Sequence, residues 1–325
     1  MRFFGKAEAN TERLDHRTGY DIRSDDLDGG FAMRWDDYRQ SENLEDRRNG
    51  GGGFGGLPGG RGGIGIGTMV VLGLVGWALG IDPRILIGGA EMLGVGRSGP
   101  PQESRPASGP PQDEMGRFVS AVLAQNEDIW TKLLPQQANR RYEPPKLVLF
   151  SRVDRSGCGT AQAAMGPFYC PEDKKVYLDL SFFQEMQRKL GGGGDFAYAY
   201  VIGHEIGHHI QNLLGILPKV NQLRQRISER ESNALSVRVE LQADCFAGVW
   251  AHNVQAMGRI DQGDVEEAMR TAAAIGDDRL QQVSQGVAVP DSFTHGSSAQ
   301  RTRWFTTGFK SGSLQSCDTF RTNQL

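Results

Sequence analysis

Cysteine is scarce in this chain, and so is an excess of charge of either sign. Four cysteines occur in 325 residues, Cys158, Cys170, Cys245 and Cys317, and no two of them form a C-x-x-C pair. That pattern argues against a thiolate zinc site and against a thioredoxin-like redox motif. Lysine and arginine number 36 against 39 aspartates and glutamates, a formal net charge of −3. A chain so balanced, with no basic stripe interleaved with aromatics, lacks the field that nucleic-acid binding requires, and no nucleic-acid partner is expected. Large apolar residues are few in residues 1 to 61, and across the first third glycine collects before Arg97 and prolines cluster from Pro100 to Pro111. Such material cannot build a packed core. No internal repeat is visible.

The chain divides by composition. Residues 1 to 61, dense in both charges and ending in glycine, read as a disordered tail. From Gly62 to Ile81 no residue is charged, and a helix of that length covers roughly 30 Å, the thickness of a bilayer's hydrocarbon. Residues 62 to 87 are therefore expected to be a single transmembrane anchor, and Gly76 with Gly80 offers a small-residue face on which two anchors would pair as a homodimer. Arginines flank the run on both sides, Arg47, Arg48 and Arg61 before it and Arg84 and Arg97 after it, a small difference for setting orientation. The cysteines favour a periplasmic or extracellular location for the C-terminal part of the chain, with Cys158 bridged to Cys170 and the pairing of Cys245 with Cys317 left open. Residues 88 to 112 form a spacer rich in proline and glycine, and residues 113 to 325 are expected to form the folded domain.

Within that domain, Phe118, Val119, Val122, Leu123 and Trp130 recur at helical spacing, predicting a first helix that Pro135 stops. Lys146 to Phe150 and Lys175 to Leu180 read as strands, the second followed by a helix that Ser181 caps. Gly191 to Gly194 link into another helix, and long helical stretches come after it over about Val220 to Met257, Gly263 to Val283 and Ser297 to Gly308. The fold class is α+β, mostly helical with a small sheet.

The helix after the glycine link carries V-I-G-H-E-I-G-H-H-I-Q, residues 201 to 211. His204 and His208 stand four apart, on one face of a helix, where both reach a single metal ion, and Glu205 points into the same cleft. Two imidazoles beside a carboxylate leave a coordination position open, as catalytic zinc requires, but such a site usually takes a third protein ligand. V-E-L-Q-A-D supplies it: Glu240 and Asp244 lie one turn apart on an otherwise apolar face, where carboxylates are costly unless something positive meets them. Glu240 is assigned as third ligand, and Asp244 as the acceptor that fixes a ligating histidine's tautomer. Glu229 and Glu231 are rival ligands, flanked by arginines as a solvated face would be. His209, about 100° around the helix, cannot share the metal and reads as a surface or supporting histidine.

H-E-I-G-H-H, V-E-L-Q-A-D and the downstream T-H-G-S-S-A-Q-R together resemble a bacterial family of neutral zinc metallopeptidases, typically single-span membrane proteins. The similarity runs from M-R-W-D-D-Y at Met33 to about Cys317, so the resemblance implies that residues 1 to 32 are an extension or an overlong gene model. It also implies a zincin-like domain of the gluzincin kind, Zn2+ as cofactor, and an edge strand that pairs with an extended peptide, for which Lys175 to Leu180 is the candidate. His295 to Arg301 resembles a segment of integral-membrane zinc proteases in which a histidine and an arginine flank the cleft. By that likeness His295 stabilises the oxyanion and Arg301 anchors the carboxylates or the peptide carbonyl. Gly296 stands where those enzymes usually have proline.

The expected activity is hydrolysis of peptide bonds by zinc-activated water, with Glu205 as general base and a peptide or protein as substrate. An amidase acting on a cell-wall substrate would use the same residues. A zinc-binding scaffold would have no use for Glu205.

Overall fold

Four strands form the main sheet, and the first of them comes from the segment read as a tail. The computed structural model describes residues 33–48, 111–190 and 193–325. Strand β1 (Leu44–Asp46) pairs in parallel with β2 (Lys146–Phe150), and β2 pairs in parallel with β6 (Lys175–Asp179). β5 (Phe168–Cys170) closes the far edge antiparallel to β6, giving the order β1-β2-β6-β5. β3 (Val153–Ser156) and β4 (Gly159–Gln162) make a separate hairpin.

The strand sequences alternate as a sheet with two covered faces requires. Leu147, Leu149, Val176 and Leu178 belong to the main core with the helices, while Val148, Phe150 and Tyr177 turn the other way onto Ala161 and Cys170. The helices are α1 (Glu114–Ala138), α2 (Ser181–Leu190), α3 (Asp195–Leu213), α4 (Ile216–Arg224), α5 (Glu229–Ala256), α6 (Gln262–Ala274), α7 (Asp277–Gln285) and α8 (Ser298–Ser311). The domain is mostly helical with a small sheet. α5 is its axis. It packs on α3 at a point where a Cβ on Gly207 would lie 2.9 Å from the Ala243 carbonyl oxygen, so a larger residue would force the helices apart. Gly308 of α8 meets α5 more closely still, at the Cys245 backbone.

Residues 33–48 correct the reading of 1 to 61 as a tail. Met33 is buried, Trp35 donates its indole N–H to Asp195 at 3.1 Å, and Glu127 receives Arg39 at 2.9 Å, Ser41 at 2.5 Å and Asn43 at 2.8 Å. Arg48 closes the segment on Asp113 at 2.6 Å. A folded unit starting at residue 113 would lose all of these contacts. Residues 1–32 and the expected anchor and spacer lie outside the described residues, apart from Pro111 and Gln112. Among the described residues no helix is long and apolar enough to cross a membrane. β1 and β2, which lie on either side of the run from Gly62 to Ile81 in the sequence, share one ladder.

Several boundaries also differ. α1 continues through Pro135 to Ala138 and ends at left-handed Asn139, φ 50°. Proline falls in the last turn, where little of the helix is left to disturb. The stretch from Val220 to Met257 is two helices, because Ser228 starts α5 with a capping box in which Glu231 reaches back to the Ser228 backbone N–H at 2.9 Å. Gly276 likewise divides the stretch from Gly263 to Val283. Ser181 is the first residue of α2, and its N–H is received by Asp179 at 2.9 Å. Both disulfides form: Cys158 with Cys170, and Cys245 of α5 with Cys317, 72 residues on.

Candidate metal centre and active site

One turn apart on α3, His204 and His208 face Glu240 of α5. Nε2 of His204 lies 3.2 Å from Oε2 of Glu240, and Nε2 of His208 lies 3.6 Å from Oε1. A tetrahedral ion with bonds of about 2.0–2.1 Å separates neighbouring donor atoms by about 3.3 Å. The pair distances are close to that value, and donor atoms of all three residues lie within 4.8 Å of one another. Two imidazoles and a carboxylate are therefore placed as a catalytic zinc requires.

Each imidazole is fixed from behind through Nδ1, which leaves Nε2 for the metal. Asp244 receives His204 at 2.8 Å, and the side-chain oxygen of Gln211 receives His208 at 2.9 Å. Gln211 is itself held, donating to the Val239 carbonyl at 2.7 Å and to Gln242 at 3.1 Å. Asp244 is fully buried and takes further donors: the Tyr200 hydroxyl at 2.6 Å and both Nε and Nη2 of Arg301 at 2.9 Å. Burial opposes its charge, but Arg301 and His204 outweigh that and hold Asp244 down at about 2. Burial also works against a charged His204, yet Asp244 and Glu240 prevail and raise it to about 10 in the metal-free protein. Glu240 is held well below the usual carboxylate range, where burial is overcome by His208 and His204. It is an ionised donor. Glu205, one position from His204, is pushed up by burial against the pull of the two imidazoles, the direction useful to a group that must take and return a proton.

β5 approaches this cleft near Glu205, where the Tyr169 backbone amide favours the ionised carboxylate. Among the described residues β5 is the outer strand on this side, and β6 (Lys175–Asp179) lies inside the sheet between β2 and β5, so the strand expected to bind peptide is not an edge. His209 is buried, so of its two expected places, surface or supporting, it takes the supporting one. Its Nε2 donates to the Glu143 carbonyl at 2.7 Å, and its Nδ1 accepts the Tyr169 hydroxyl at 3.0 Å, so it ties β5 to the metal-bearing helix. Burial, with Lys174 nearby, lowers it to about 4, and it stays neutral.

The rival carboxylates are elsewhere: Glu231 serves the α5 cap and Glu229 is exposed beside it. Of the two roles expected for Arg301, the structure shows the anchoring of a carboxylate, that of Asp244. At 2% exposure Arg301 lies beneath Asp244, donating as well to the Ile275 carbonyl at 3.3 Å, and is joined to His204 through Asp244. His295 is brought to the ligand helix, near enough to help hold Glu240 ionised. Gly296 beside it has φ 92°, which proline cannot adopt, so the turn follows a path closed to the enzymes that carry proline there. Tyr200 and Gln211 were the residues that motif reading missed. Their signal was spacing, since Tyr200 is four residues before His204 and Gln211 three after His208, on the same face.

A mostly helical domain with an H-E-x-x-H helix, a glutamate from a neighbouring helix and doubly supported imidazoles has the construction of a zinc hydrolase. The family described as "Putative neutral zinc metallopeptidase" matches residues 33–320, and the chain belongs to it. It is 51% identical over 294 residues to "Uncharacterized protein YpfJ" of Escherichia coli K12, covering 89% of this chain and 99% of that protein. It is 42% identical over 227 residues to "Uncharacterized protein Mb2605" of Mycobacterium bovis, covering 65% of this chain and 74% of the relative. No solved structure matches the chain. The family implies Zn2+ as the cofactor, and the triad of His204, His208 and Glu240 fits it.

Proposed function

We propose that the protein is a zinc-dependent endopeptidase of zincin-like architecture that cleaves an extended peptide laid along β5. The observation that carries this reading is the position of Glu205, buried beside the two imidazoles yet outside the donor triad. A purely structural site has no need of it. The zinc ion, held by His204, His208 and Glu240, supplies Lewis acidity toward water and the scissile carbonyl. Glu205 takes the proton of the attacking water and returns it to the departing amine. The substrate's backbone adds to the outer edge of β5, which sets its carbonyl beside Glu205. His295 donates to the oxygen on which negative charge develops. Asp244 and Gln211 keep both imidazoles in the tautomer that presents Nε2, and Arg301 and Tyr200 hold Asp244.

Membrane attachment through residues 62 to 87 belongs to this proposal; the β1–β2 ladder supports a topology with both flanks of the run on one side, and the disulfides favour the oxidising side. The test is cleavage of an unstructured protein by the purified chain, with chelator and zinc added in turn. Zinc-restorable cleavage that vanishes in Glu205→Gln is the expected result. Release of amides from peptidoglycan fragments without cleavage of any polypeptide would favour the cell-wall amidase instead.

A further inference from the structure

The turn that carries His295 is built on one buried carboxylate. Asp277, the first residue of α7, is 1% exposed, and its Oδ2 accepts three successive backbone N–H groups, Thr294 at 2.8 Å, His295 at 2.7 Å and Gly296 at 3.1 Å. Its own N–H donates to the Gly296 carbonyl at 2.9 Å, and Oδ1 faces Nδ1 of the His295 imidazole at 3.2 Å. The Thr294 hydroxyl lies 2.9 Å from the same ring nitrogen. A carboxylate so deeply buried is costly unless hydrogen-bonded, and every bond in this set goes to one short turn. That turn is pressed against the ligand helix: a Cβ on Gly296 would lie 3.1 Å from Leu241 and 3.4 Å from Val237, residues on either side of Glu240 along α5.

We infer that Asp277 is a positioning residue for the peptidase reaction, fixing the 294–297 turn and orienting the His295 ring with Nδ1 toward Asp277 and Nε2 toward the zinc cleft. Nothing in the T-H-G-S-S-A-Q-R motif contains it, because it lies 18 residues before His295 and acts across the fold. A carboxylate at Nδ1 holds the ring by accepting from that nitrogen, which turns Nε2 toward the substrate oxygen. Asp277 itself touches no reacting atom. The role rests on the peptidase reading for its purpose, but the ring orientation does not.

Two measurements separate those claims. Long-range proton–nitrogen correlation spectra of the metal-free, 15N-histidine-labelled chain report the tautomer of neutral His295. The Nδ1–H form is expected in the wild type, moving toward Nε2–H in Asp277→Asn. An Nε2–H ring in the wild type overturns the inference without need of any variant. The second measurement is a cycle on peptide cleavage. Asp277→Asn should lower kcat about tenfold with KM within about twofold, and should cost nothing further in a His295→Gln background. An equal loss in both backgrounds means Asp277 merely supports the fold and sinks the proposed role. If the wild type cleaves no peptide with zinc present, the peptidase reading fails, while the spectra still decide the orientation.

Discussion

Nδ1 of His204 lies 2.8 Å from Oδ1 of Asp244, and the same carboxylate is gripped by Nε and Nη2 of Arg301, both at 2.9 Å. A ligating imidazole is thereby wired to a fully buried ion pair, so zinc affinity and folding stability share one carboxylate. Asp244→Asn should lower zinc affinity roughly 10- to 100-fold. It should also destabilise the metal-free protein by about 3–5 kcal/mol, because Arg301 is left buried without a counter-charge. Arg301→Met should damage stability similarly and zinc affinity less. Zinc titration and denaturant melts on the same preparations check both; a variant that loses affinity at unchanged stability would detach Arg301 from the scheme.

Glu205 and Glu240 sit in one cleft but should respond oppositely to neutralisation. Glu205→Gln is expected to retain zinc through dialysis and to lose at least about 10²-fold in turnover. Glu240→Gln is expected to lose the metal itself, since a neutral amide oxygen is a much poorer donor. Zinc content per chain, measured beside activity, distinguishes them. Full occupancy in Glu240→Gln would remove it from the ligand set.

Removal of residues 1 to 48 should destabilise the domain by about 3–5 kcal/mol, on the order of the loss when a buried charge is stripped of its partner, because Glu127 forfeits Arg39, Ser41 and Asn43 together. Denaturant melts of the chain lacking residues 1 to 48, compared with the full chain, test this. Equal stability would show that β1 is dispensable.

Glu267 accepts the Ala197 N–H at 2.7 Å near the start of the metal-bearing helix, and burial, reinforced by Asp264 and Asp195, raises it to about 7 from an ordinary value of 4.5. The folded state therefore binds a proton that the unfolded state has released between these values. This contribution to stability is fully present below about pH 4.5 and is lost as pH rises through about 7. Glu267→Gln, which keeps an oxygen acceptor, should flatten that fall. The thermal midpoint followed from pH 4.5 to 8 measures it, and an unchanged slope would assign the pH dependence to other groups.

The metal triad was legible because its rules are local. A four-residue spacing puts His204 and His208 on one face, and carboxylates on an apolar helix stripe demand a positive partner, which identified Glu240 and Asp244 without coordinates. For Arg301 the sequence left two roles open, because a motif gives proximity to a cleft but not depth: the side chain approaches from beneath and anchors the Asp244 carboxylate. Strand identity at Lys175 to Asp179 was plain from alternation, but whether it lay at an edge depended on β5, whose three residues are too few to show a period. The segment around β1 was hidden by its company. Its charges suit a solvated tail unless each finds a partner far along the chain, as Arg39 does in Asp128 and Glu127, 89 and 88 residues away.

The pairing of Leu44 with Leu147 spans 147 − 44 = 103 residues, all of which must be made before that bond pattern can close. At about 5–20 residues per second, β1 waits roughly 5–20 s for its neighbour. A strand of only three residues is a poor template for pairing with other chains during that interval. Completion of the sheet then depends on where the two ends have been delivered, since a chain threaded with β1 on one side of a bilayer and β2 on the other would leave the β2 edge unmatched and Glu127 without its partners. The ladder thus makes correct delivery of the N-terminal segment a condition for a finished enzyme.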